Sequence, residues 1–115
     1  MKAEYLADPN EADDAADHYM REFRGHGVSE GSNLNLVVHI TGIEKSKLGA
    51  VESDVLRLYE CANVERGERG IFFKKATLAA RLKPIRFERE CLLKAARALY
   101  RLILDHEVTV EIKLA

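Results

Sequence analysis

"KKATLAARLKPIRFERECLLKAARALYRLILDH", residues 74–106, decides how this chain of 115 residues is read. It carries nine Lys and Arg, opposed up to residue 101 only by Glu88 and Glu90. Leu78, Ala79 and Leu82 recur at helical spacing, which predicts a short helix over about 75–82. Pro84 pushes Lys83 out of the α region and so ends that element. Beyond the proline, Cys91, Leu92, Ala95, Leu99, Leu102 and Ile103 form one apolar face, predicting a long helix over about 86–105.

Working outward, "EVTVEIKL" (107–114) alternates strictly and predicts a strand with Val108, Val110, Ile112 and Leu114 on one face. "LNLVVHIT" (34–41) alternates too, and Gly42 closes it. Leu48, Val51, Val55, Leu58 and Ala62 predict a helix over about 47–63. "IFF" (71–73) reads as a short edge strand. At the N-terminal end Asp8, Pro9 and Glu11 are helix-start signals, and Gly25 stops a helix over about 9–24. The expected class is α+β: a small sheet of strands at about 34–42, 71–73 and 107–114, packed with four helices. Residues 1–33 are expected to be an acidic helix with a flexible connector, and 34–115 a folded domain.

A chain this long with 47% hydrophobic residues can enclose a single core. No apolar run approaches the roughly 20 residues of a membrane span, and the acidic start offers no secretory or transit signal, so a cytoplasmic protein is expected. Cys61 and Cys91 fall on predicted apolar faces and read as reduced core residues. The net charge of −1 hides an asymmetry: residues 1–31 carry −5 and residues 71–115 carry +5. Such polarity points to a polyanion, to contact between the two ends, or to both.

No catalytic signature accompanies these elements. His18, His26, His39 and His106 stand at no zinc spacing with each other or with the cysteines. There is no nucleophile elbow, no phosphate-binding glycine loop and no cofactor motif. An enzyme is therefore not expected, and neither is a metal or cofactor.

Residues 48–114 resemble a winged-helix or helix-turn-helix domain in their order: helix, short strand "IFF", short helix "KATLAARL", turn at "KP", long helix, terminal strand. "LAARL" is similar to the Leu-Ala-x-x-Leu of that superfamily's second helix. The resemblance implies a winged-helix-like core and nucleic-acid binding.

The basic residues of this region, Lys74, Lys75, Arg81, Lys83, Arg86, Arg89, Lys94, Arg97 and Arg101, are the expected nucleic-acid contacts. "IRFERE" lacks the Ser, Thr, Asn and Gln cluster that reads base edges, so contact is expected to be phosphate-dominated and regulatory. The alternative is an adaptor or inhibitor of the phage or mobile-element type. In that reading the acidic helix, through Glu11, Asp13, Asp14 and Asp17, holds a basic partner protein. The same acids could instead dock on the basic face of their own chain or of a neighbouring copy, which would give autoinhibition or a homodimer.

Overall fold

The structure, a computed structural model, describes residues 12–59, 61–68 and 75–115. The expected start signals at Asp8, Pro9 and Glu11, the strand at 71–73 and Lys74 lie outside the described residues. The class is α+β, with three described helices and two antiparallel sheets.

Helix α1 (Ala12–Gly25) leads to a short strand β1 (Asn33–Leu34) and the long strand β2 (Leu36–Glu44). Helix α2 (Leu48–Leu58) follows, then strands β3 (Cys61–Glu68) and β4 (Lys75–Leu82). Strand β5 (Ile85–Arg86), helix α3 (Arg89–His106) and strand β6 (Thr109–Leu114) complete the chain. The main sheet has the order β3-β4-β2-β6 with every neighbouring pair antiparallel. Its connections run β2–α2–β3–β4–α3–β6, the βαββαβ pattern of the ferredoxin-like topology.

Residues 75–82 form a strand and not the expected short helix. A helix-turn-helix pair over 75–105, which the winged-helix resemblance implied, is therefore not formed by these residues. The physical reason lies in the alanines, which fit either period. Ala76, Leu78, Ala80 and Leu82 are all buried, while Lys75 and Arg81 are exposed on the other face. Strand β4 is interior, bonded to β2 on one side and β3 on the other, and that pairing overrides the helical propensity of alanine. Likewise the helix expected to reach residue 63 ends at Leu58, and Cys61 and Ala62 begin β3.

One face of the sheet meets the helices. Leu36, Val38, Ile40 and Ile43 of β2, the alternate residues of β4, and Val110 and Ile112 of β6 are buried there. Register shifts between Ile40 and Ile43, where Gly42 takes φ 74°, so the strand bulges and keeps Ile43 inward. Above them α3 buries Leu92, Ala95, Ala96, Leu99, Tyr100 and Leu102. The N-terminal helix belongs to the same core: Ala12, Ala15, Ala16, Tyr19, Met20 and Phe23 of α1 are buried within it. Its Tyr19 Oη meets Tyr100 Oη at 2.9 Å and accepts the Ile112 N–H of edge strand β6 at 3.4 Å. Strands β1 and β5 pair as a small ribbon, and Phe87 N–H donates to Ser32 O at 2.8 Å, tying the connector to the start of α3.

Candidate nucleic-acid interface

The fold distributes the expected basic residues over different sides of the molecule. Lys75 and Arg81 stand on the sheet face opposite the helices, because β4 is a strand. Lys75 Nζ lies 3.7 Å from Glu44 Oε1, its neighbour on β2. Lys83 follows β4 in an exposed turn. Arg86, on the β1–β5 ribbon, donates from Nε to Gly31 O at 3.4 Å and lies 3.6 Å from Glu88 Oε1. Arg89, Lys94, Arg97 and Arg101 lie together on the helix α3.

Helical periodicity sets what α3 presents. Its inner side is apolar and buried, so Glu90, Lys94, Arg97 and Arg101, spaced by four, three and four residues, fall in one line on the outer side. These four, with the half-buried Leu93 and Ala98, line a groove of about 560 Å³. Among the described residues, Lys94 and Arg101 have no ion-pair partner.

The other two α3 cations are engaged by α1. Arg89 Nε donates to Asp17 Oδ1 at 2.6 Å, and its Nη2 lies 3.4 Å from Asp13 Oδ1. Arg97 Nη2 lies 3.7 Å from Asp13 Oδ2. The Arg89 hydrogen bond holds the Asp17 carboxyl below the usual aspartate range, and the same bond raises the guanidinium of Arg89. These pairs are solvent-exposed, so each contributes little to stability, but they bring the acidic and basic ends of the sequence together within one chain. Asp14 is exposed and, among the described residues, has no ion-pair partner. Glu11 lies outside the described residues.

Several polar contacts were not visible in the sequence because they join distant segments. His106 Nε2 stands 2.7 Å from Asp54 Oδ2, fastening the end of α3 to α2. That contact, with Arg57 adding a second hydrogen bond, holds the Asp54 carboxyl low. Arg66 of β3 donates to Glu52 of α2 at 2.7 Å. Burial raises the Cys61 thiol, which donates to Tyr59 O at 3.4 Å, an environment that disfavours a nucleophilic thiolate.

Among the described residues no three His, Cys, Asp or Glu side chains gather as a metal set. No described helix is long and apolar enough to cross a membrane. Comparison with protein-family models, curated proteins and solved structures gave no match.

Proposed function

We propose that this protein is a small non-enzymatic binding module that contacts nucleic acid through its phosphates, on the outer face of α3. The observation that carries the reading is the alignment of Lys94, Arg97 and Arg101 on one exposed line. Each cation set against a phosphate releases condensed counterions, so three contacts give a salt slope of about −2.7 on duplex DNA. Glu90 at one end of the line and Asp105 at the other limit the patch to a few phosphates. The ligand is therefore held by its backbone, and base identity matters little.

The test is fluorescence anisotropy with a labelled duplex and a labelled single-stranded RNA, each titrated at stepped salt. Binding that weakens with the expected slope, and is lost in Arg97→Glu/Arg101→Glu, supports the reading. No binding at low salt rejects it.

A second reading has its own observation. Leu93 and Ala98 form an apolar floor to the groove, and Leu104, one turn beyond Arg101, is 68% exposed. Cations bordering apolar side chains suit an acidic amphipathic segment of a partner protein. The form in which the acidic helix itself holds a basic partner is less favoured, because Asp13 and Asp17 already face Arg89 and Arg97. Binding of a synthetic acidic amphipathic peptide that survives high salt, without any nucleic-acid binding, would select this second reading.

A further inference from the structure

The helices cover one face of the four-stranded sheet, and no described residue covers the other. Two adjacent rows cross that open face. In the first, Asn63, Arg81, Val37 and Lys113 are successive cross-strand neighbours. In the second, the neighbours are Glu65, Ala79, His39 and Glu111. The first row is basic at Arg81 and Lys113, and the second is acidic at Glu65 and Glu111. Arg81, Lys113 and Glu65 are exposed, while Val37, His39 and Ala79 are half-buried and form a low floor between them.

We propose that this face docks a second copy of the chain, sheet against sheet, across a two-fold axis lying along the rows. Rotation about an axis between the two rows sets the basic row of one copy against the acidic row of the other. Lys113 then meets Glu111 of the second copy, Asn63 meets its Glu65, and Arg81 lies over its Ala79, within reach of its Glu65. Because the axis makes the contact isologous, each pairing occurs twice. Lys113 already stands 3.2 Å from Glu111 of its own strand, so two copies bring together a square of alternating charges.

The same face offers little to nucleic acid. Among its described residues there is no Phe, Tyr or Trp, and its one aromatic ring, the imidazole of His39, is half-buried, so unpaired bases find little stacking surface. Its centre is instead low: Gly67, Thr77 and Ala79 sit beside a shallow depression of about 300 Å³, which permits the roughly 10 Å approach of a second sheet. Four strands about 4.8 Å apart and about seven residues long present roughly 450 Å² per copy. The total of about 900 Å² lies below that of stable interfaces and within the range of weak, transient ones, so the dimer is expected to assemble only at micromolar concentrations and above. It leaves α3 of each copy facing outward, so the proposal stands whether or not α3 binds nucleic acid.

Sedimentation velocity over a concentration series, from low to high micromolar, tests it. The unaltered chain is expected to pass from monomer to dimer with rising concentration. Lys113→Glu and Glu111→Lys each place like charges opposite one another and are expected to weaken dimerisation at least about tenfold. The double swap Glu111→Lys/Lys113→Glu keeps both the internal and the intermolecular pairing and is expected to restore it. Circular dichroism confirms that each variant is folded. A chain that stays monomeric throughout, or a dimer indifferent to both single reversals, overturns the proposal.

Discussion

Replacing Tyr19 by Phe should cost far more stability than the same change at Tyr100, although both remove one buried hydroxyl. Tyr19 is 4% exposed and Tyr100 fully buried, and their hydroxyls share a 2.9 Å hydrogen bond. Tyr19 Oη also accepts the Ile112 N–H of the edge strand, whereas among the described residues Tyr100 Oη has only Tyr19. Tyr100→Phe therefore breaks one bond and leaves the hydroxyl of Tyr19 with its backbone partner, a loss of about 1 kcal/mol. Tyr19→Phe strands two buried groups, the Tyr100 hydroxyl and the Ile112 N–H, at about 1–3 kcal/mol each, so about 2–6 kcal/mol in total. The double variant strands only the Ile112 N–H and should cost no more than Tyr19→Phe alone. Urea unfolding followed by far-ultraviolet circular dichroism reads all three differences, and at about 4 °C per kcal/mol thermal midpoints would separate them as well. Equal losses at the two positions, or a double variant whose loss is the sum of the singles, would refute this account of how α1 is fastened to α3 and β6.

Three further outcomes follow from other contacts. Asp13→Asn/Asp17→Asn frees Arg89 and Arg97, so the salt slope for duplex DNA should steepen from about −2.7 towards about −3.6 as a fourth cation becomes available; an unchanged or shallower slope in anisotropy titrations counts against α3 as the phosphate face. Asp54 is held below its ordinary value of 3.8 by His106 and then Arg57, so the stability it supplies is present above that value and is lost as pH falls through it towards the folded one. Asp54→Asn should accordingly lower the urea midpoint near neutral pH and flatten its fall in acid; parallel pH curves for the two proteins would show that the carboxylate is not linked to folding. A Cβ on Gly67 would run into Thr77 Oγ1 on the neighbouring strand, so Gly67→Ala should cost about 1–3 kcal/mol, most of it recovered in Gly67→Ala/Thr77→Ala. Failure of the second substitution to restore the urea midpoint would place the strain elsewhere.

What the sequence made legible, and what it did not, divides along the range of the contacts involved. The strand at 36–44, the helices at 48–58 and 89–106 and the strand at 109–114 are visible because each carries its own period of burial. "KATLAARL" carries two periods at once. Leu78 and Leu82 fit a helix, yet Ala76 and Ala80 complete an alternation that matters only when β2 and β3 flank it, and those partners lie far away in sequence. Strand β3 is harder still to read. Asn63, Glu65 and Gly67 face outward and Arg66 pairs with Glu52 of α2, so among its described residues this edge strand offers only Cys61 and Val64 to the core and shows little apolar alternation.

The candidate surface divides in the same way. Lys94, Arg97 and Arg101 are fixed by the period of one helix, and their alignment needs no knowledge of the rest of the chain. Lys75 and Arg81 leave that surface once 75–82 becomes a strand, and Arg89 leaves it once α1 packs alongside. The opposite charges of the two ends of the sequence thus have a use inside the molecule, since Asp13 and Asp17 of one end meet Arg89 and Arg97 of the other. Charge polarity along a sequence is therefore ambiguous evidence for an external polyanion until the fold shows which charges face each other. In this chain the external claim rests on the two cations that α1 does not reach, Lys94 and Arg101, and on Arg97, whose contact with Asp13 at 3.7 Å is long and solvent-exposed and can yield to a phosphate.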